Sequence, residues 1–184
     1  KIDNFSIISP INADKNVPNY KIKNSYPIIN DHVMEVDIID GFSMLINKSK
    51  FEDQIYFDEN FFLYLENADL CLRQKNKNEK IFIVKSSEIK HIGSYATKLD
   101  QSNNLEYIRN WHWMWSKFYF NKKHYGYFIA LIKIFNNLLS ASIKYLLYSL
   151  IYNKHKRTIY KMRILGLINS MIGKKSYLRP DIYS

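Results

Sequence analysis

Apolar residues come in short runs in the first half of the chain and at helical spacing in the second. Phe5–Ser9 is a compact apolar run that stops at Pro10, the pattern of a buried strand. Residues 12–30 are rich in Asn, Lys, Pro and Tyr and read as a long loop. Val33–Ile39 and Phe42–Ile46 are strand candidates on either side of Asp40-Gly41. Phe61–Arg73 is apolar and then helical, and Ile81–Val84 is a β-branched strand. From about Leu105 glycine and proline nearly vanish and long helical patterns follow. Trp111, Trp115 and Phe118 stand at i, i+4 and i+7, one face of a helix expected to pack into a core. From Tyr127 to Tyr152 the sequence is long and apolar, and Lys133, Asn137, Ser140 and Lys144 recur at helical spacing as one polar stripe. Two lysines near the middle of a membrane span cost several kcal/mol, on the order of 2–3 each. The expected element is therefore an amphipathic helix lying on a bilayer or against another domain. The pattern gives two regions, mixed α/β over residues 1–100 and helical over 101–184, with no internal repeat.

Composition narrows this picture. The chain has 184 residues, 47% of them hydrophobic, which excludes a disordered or collagen-like polymer. A lone cysteine, Cys71, excludes a disulfide framework and suits a reducing compartment; placed in an apolar helix, it reads as a small buried residue. With five glycines there is no Gly-rich phosphate loop. The first residues already read as structure rather than as a leader, so the expectation is a chain that begins inside a domain. The net charge of +10 is uneven: residues 1–100 carry 13 basic and 15 acidic side chains, residues 101–184 carry 14 and 2. A basic partner surface belongs to the second half.

The densest chemistry is Phe57-Asp58-Glu59-Asn60-Phe61-Phe62-Leu63-Tyr64-Leu65-Glu66-Asn67-Ala68-Asp69-Leu70-Cys71-Leu72-Arg73. A helix opening near Asn67 would have Asn67 as its N-cap and Asp69 in the first turn. Glu66 would then sit just before the helix, where a carboxylate can face a cleft and act as a general base. The plainer alternatives are a capping role for these carboxylates and an i,i+4 ion pair between Asp69 and Arg73.

Several motifs occur in a fixed order: Val36-Asp37, Gly41-Phe42-Ser43-Met44-Leu45-Ile46, Phe57 through Tyr64, Glu66 through Arg73, Ile81–Val84 and His91-Ile92-Gly93-Ser94. In that order they resemble the C-terminal half of the catalytic domain of family 2 glycosyltransferases, especially the bacterial rhamnosyltransferase-like branch. The resemblance covers roughly residues 5–97 and, more loosely, the tail. It implies the C-terminal, acceptor-side part of a GT-A α/β mixed sheet over residues 1–100, followed by an α-helical extension. The family's Glu-Asp pair reads Glu66-Asn67 here, and Asn67 cannot take up a proton. The Gly-Gly expected before Phe-Asp-Glu is Ile55-Tyr56, and His91-Ile92-Gly93-Ser94 has one glycine where two are common.

The resemblance implies an inverting transfer of a sugar from a nucleotide-diphosphate donor to a saccharide or lipid-linked acceptor, in surface polysaccharide synthesis. It makes Glu66 the first choice of base and Asp69 the second. Asp37, Gly41, Phe42, Asn67, Arg73 and Ser94 become substrate-binding candidates. For Gly41 the plain alternative is a strand-start glycine. A divalent ion, Mg²⁺ or Mn²⁺, would offset the charge of the leaving diphosphate, with His91 completing its shell. The family's Asp-x-Asp is absent from these residues, so the main metal ligands and the nucleotide-binding half are expected upstream of Lys1.

Tyr107 to Phe128 holds ten aromatics interleaved with Arg109, Lys117, Lys122 and Lys123, and the segment after it adds Lys154, Lys156, Arg157, Lys161 and Arg163. Rings mixed with lysines suit a membrane interface. They also suit a stacking platform for nucleic acid, a partner the ordered motifs do not favour. The expected location is cytoplasmic, peripheral on the inner face of the cell membrane, where a basic tail meets anionic lipid. Two other readings stay open: a non-catalytic basic binding module for membrane or nucleic acid, and a degenerate transferase marked by Asn67.

Overall fold

A computed structural model describes residues 4–22, 28–51, 54–91 and 103–179. Ser94 lies outside the described residues, as do Ile92 and Gly93. The fold is mixed α/β. The strands are β1 (Ile7–Asn12), β2 (Tyr20–Lys21), β3 (Ile28–Asn30), β4 (Val33–Glu35), β5 (Ile38–Ile39), β6 (Leu45–Ile46) and β7 (Ile81–Ile89). The helices are α1 (Glu66–Asn76), α2 (Asn103–Tyr125), α3 (Tyr127–Leu150) and α4 (Lys154–Met171). The chain divides into two compact units, residues 1–58 with 66–94, and residues 59–65 with 95–184.

The first unit is built on a five-stranded sheet of order β3-β4-β7-β1-β6, with β2 and β5 as a separate antiparallel pair. β1 and β7 run parallel, and the other neighbours in the sheet are antiparallel. The β1 strand does not stop at Pro10. It continues to Asn12, and its register against β7 shifts between Pro10 and Ile11. A proline cannot donate to the ladder, so it is tolerated at such an irregularity. Buried Asn19 compensates locally: its Nδ2 donates to Pro10 O (2.9 Å) and Ser9 Oγ (3.1 Å), and its Oδ1 accepts from Asn12 N (2.9 Å). The stretch expected as loop therefore carries two short strands, β2 and β3.

Val33–Ile39 is not one strand. It breaks between β4 and β5, where Val36 N donates to Ile81 O and Asp37 N to Lys21 O. The second candidate shrinks to β6, and β7 reaches Ile89, beyond the expected end at Val84. Ile7, Val36, Ile39, Leu70, Cys71, Ile81 and Ile83 are wholly buried and form one core with Met34 and Phe51. Each such aliphatic side chain contributes about 1.5–3 kcal/mol when fully removed from water.

In the second unit α2, α3 and α4 pack on one another around Met114, Phe118, Ala130, Ile134 and Leu167. Trp111, Trp115 and Phe118 are buried, as their spacing predicts, so Trp111 and Trp115 serve as core. Trp115 Nε1 donates to Lys174 O (2.9 Å). The α4 helix ends in a Schellman motif: Gly173, at φ +78°, donates to Ser170 O and Lys174 N to Asn169 O. The segment 59–65 belongs to this unit: Leu63 O accepts from Ser116 Oγ (2.7 Å), and Phe61 meets Tyr119 edge-on.

Candidate functional site

The motif residues of the first unit fall into two groups. In the first, Asn67 lies inside α1 rather than capping it, because the helix opens one residue earlier, at Glu66. Its Nδ2 donates to the carbonyl of Ile39 (2.7 Å), fixing the end of β5 against the first turn of the helix. Gly41 lies beside it: a Cβ built there would stand 3.5 Å from Asn67 Cβ, an ordinary contact. Neither backbone angle nor crowding within the chain requires glycine at 41, which leaves an exposed, side-chain-free edge next to Asn67. The next residue, Phe42, stacks on His91 with ring centroids 4.2 Å apart and planes 6° from parallel. The segment 39–42 is thus held by Asn67 at one end and His91 at the other.

Glu66 directly precedes Asn67. Its Oε2 is buried and makes no hydrogen bond among the described residues. Tyr64 (φ 70°) and Leu65 (φ 69°), both in the left-handed region, turn the chain into it. Each such conformation costs on the order of 1–2 kcal/mol for a residue with a Cβ. The carboxylate lies in the first helical turn, where the macrodipole favours negative charge.

The second group points inward. Asp69 is wholly buried, and its Oδ2 accepts from Arg73 Nε (3.0 Å). The Arg73 guanidinium also donates to the carbonyls of Ile55 (3.1 Å) and Tyr56 (2.6 Å). The i,i+4 ion pair that the spacing allowed is present. Asp37 lies 4.0 Å from Lys75 Nζ, which sits closer to Glu35 Oε1 (3.0 Å). Cys71 is buried, and desolvation pushes its thiol up to about 11; a backbone hydrogen bond involving Ile39 opposes that rise and Asp40 adds to it.

Among the described residues no three His, Cys, Asp or Glu side chains gather so as to hold a metal ion. His91 is exposed and stacked on Phe42.

The helical unit carries features that spacing did not disclose. The outward face of α3 is apolar: Phe128, Ile132, Phe135, Leu139, Ile143, Leu146 and Leu150 repeat at helical spacing and are all exposed, Phe128 to 80%. On the opposite face Ala130, Ile134 and Ala141 are buried. The stripe Lys133, Asn137, Ser140 and Lys144 lies between these two apolar faces. By length and composition α3 is long and apolar enough to cross a membrane. Cations of this unit rest on rings: Lys133 Nζ is 3.6 Å from the Tyr125 centroid, Lys156 Nζ 5.2 Å from Tyr148, and Lys144 Nζ 5.4 Å from Tyr160. A cleft of about 260 Å³ opens between α2, α3 and α4, lined by Trp113, Met114, Asn136, Asn137, Ser140, Ala141, Tyr160 and Arg163. Of its lining, Asn137 and Ser140 were visible in sequence as part of the polar stripe of α3, and Arg163 as one of the basic residues of α4, but nothing in the spacing brought them together.

His112 is buried without being part of a site. Its Nε2 donates to Leu178 O (2.7 Å), so Nδ1 is free to accept from Ser176 Oγ (3.0 Å). Burial lowers its pKa; the bond to Leu178 opposes this, and nearby Arg179 adds to it.

No family model, curated protein or solved structure matches the chain.

Proposed function

We infer that the chain supplies the acceptor side and the base of an inverting, family 2-like glycosyltransferase of GT-A type. The observation that carries this reading is the buried, unbonded Oε2 of Glu66 at the head of α1, next to the Asn67–Ile39 clasp and the bare edge of Gly41. A buried carboxylate oxygen left without a hydrogen bond is costly for folding and useful for proton abstraction. Asp69 and Arg73 are spent on each other and on main-chain carbonyls, which leaves Glu66 as the base.

In the proposed step Glu66 takes the proton of an acceptor hydroxyl. The hydroxyl oxygen bonds to the anomeric carbon from the face opposite the leaving group. The bond from that carbon to the diphosphate oxygen breaks, the nucleoside diphosphate departs, and configuration inverts. General-base help of this kind is worth about 10²–10⁴-fold. The donor class is a nucleotide-diphosphate sugar, and the acceptor a saccharide or lipid-linked saccharide. The described residues do not assemble a site for Mg²⁺ or Mn²⁺.

The test is release of nucleoside diphosphate from a panel of nucleotide sugars, with and without acceptor. Glu66→Gln should lower turnover by about 100-fold or more, with donor affinity nearly unchanged. Unchanged turnover would remove Glu66 from the mechanism. The outward apolar face of α3 favours a second component, peripheral attachment to the inner face of the cell membrane. Membrane binding with no turnover on any donor would leave the non-catalytic module as the better reading.

A further inference from the structure

We propose that the cleft between α2, α3 and α4 binds the phosphate headgroup of a membrane lipid, seated against Arg163, while the outward face of α3 enters the acyl layer. This deepens the membrane component above and rests on the helical unit alone.

Residues 103–179 contain 14 basic side chains and a single carboxylate, Glu106. Glu106 lies 3.2 Å from His155 Nε2. Arg163 lines the cleft, and its Nε donates to the neutral Asn110 Oδ1 (2.7 Å). Lys117 stands behind the wall, with Nζ donating to Asn137 Oδ1 (2.8 Å). Among the described residues neither cation pairs with a carboxylate. Burial and then the charge of Arg163 lower the pKa of Lys117, so both factors disfavour its charged form. An anion in the cleft would offset the repulsion between the two cations. Asn136, Asn137, Ser140 and Tyr160 add neutral hydrogen-bonding groups.

The choice of a lipid follows from what flanks the cleft. Asn136, Asn137 and Ser140 lie on α3, the helix whose outward face is apolar along its length. Its Phe128, Ile132 and Leu150 are 76–80% exposed. An exposed patch of this kind marks an interaction surface. With that face in the acyl layer, the polar stripe of the same helix comes to headgroup depth, where a phosphate carries one negative charge or more.

Vesicle flotation tests the proposal. The protein should bind phosphatidylcholine vesicles containing phosphatidic acid at least tenfold more tightly than phosphatidylcholine alone. Arg163→Gln should lose most of that preference and Arg163→Lys should keep it. Ser140→Asp places a carboxylate in the cleft from an exposed position, leaves the Arg163–Asn110 bond untouched, and should abolish the preference with helix content unchanged by circular dichroism. Lys161→Gln, an exposed cation on the same helix, should change binding less than twofold. Phe135→Ser with Leu139→Ser should weaken binding to both vesicle types. Equal binding to both vesicle types overturns the proposal. So does a full preference in Ser140→Asp, or a loss in Lys161→Gln as large as in Arg163→Gln. If millimolar inorganic phosphate stabilises the protein and competes with vesicles, the ligand is a soluble phosphate and the assignment to lipid fails. None of these failures touches Glu66, which lies in the other unit and is tested by turnover.

Discussion

The guanidinium of Arg73 ties the buried carboxylate of Asp69 to two carbonyls 17 and 18 residues earlier in the chain. Nε meets Asp69 Oδ2 at 3.0 Å, while the two terminal nitrogens reach Tyr56 O and Ile55 O. One side chain thereby fixes a loop against α1. Removing it takes the guanidinium from the buried Asp69 carboxylate and one donor from each of the two carbonyls. Arg73→Ala should destabilise the first unit by about 3–5 kcal/mol, the usual result of breaking a buried pair from one side. Arg73→Lys keeps the charge but loses the planar fork, and should recover only part of that stability. Urea unfolding followed by far-ultraviolet circular dichroism gives both values. A loss below 1 kcal/mol in Arg73→Ala would show that the Asp69–Arg73 pair does not hold the loop against α1.

In the helical unit the close approach of two backbones sets a different limit. A Cβ at Gly166 would overlap the main-chain oxygen of Trp111 and stand 3.1 Å and 3.2 Å from its carbonyl carbon and Cα. Backbone cannot swing aside as a side chain can, so α2 and α4 would have to separate. Gly166→Ala would raise the intrinsic helix propensity by about 1 kcal/mol. Overpacking costs about 1–3 kcal/mol, and against rigid backbone it should fall at the upper end, for a net loss of about 2 kcal/mol. All three tryptophans lie on α2, so the fluorescence transition reports this unit directly. A stabilised variant would mean that α4 can move away without loss.

Cys71 should be inert in the folded protein. A thiol held near pKa 11 is about one part in a thousand thiolate at pH 8, and it is also buried. A thiol-specific disulfide reagent should react at least 100-fold more slowly with native than with urea-unfolded protein. Rapid reaction of native protein would require local opening of α1.

Much of this architecture is legible in the chain because it is local. The 3.6 spacing of Trp111, Trp115 and Phe118 identifies a buried helix face, and the Asp69–Arg73 interval contains its ion pair. Strand limits are less legible, since they depend on partners. Pro10 stays in β1 because Asn19 takes over its carbonyl, and Val33–Ile39 breaks because Val36 and Asp37 donate in different directions. The candidate site is harder still. Its decisive relations, Asn67 with Ile39 and Phe42 with His91, span tens of residues and leave no periodic trace. The turn at Tyr64 and Leu65 is invisible for another reason: neither residue is a type that favours positive φ. The apolar outer face of α3 could be read only in part, because sequence shows a polar stripe but not which apolar side meets the core.

His112 gives the helical unit a predictable response to acid. The imidazole is wholly buried, with Nε2 donating to Leu178 O and Nδ1 within hydrogen-bond distance of Ser176 Oγ (3.0 Å). Its pKa is lowered from the ordinary value of 6.5, chiefly by burial. In the unfolded chain the ring takes up a proton as pH falls through about 6.5. In the folded chain it does so only at lower pH. Between those two values the unfolded state holds more protons, so stability rises with pH. The contribution is therefore complete above about pH 7 and is lost as pH falls through 6.5 toward the lowered folded value. The urea midpoint from tryptophan fluorescence should be flat from pH 8 to about 7 and then decline. His112→Gln should start lower, because it disturbs a packed network with Phe62 and Trp111, but should show a much shallower decline. If the variant keeps the full slope, the acid sensitivity comes from other groups and His112 is not its source.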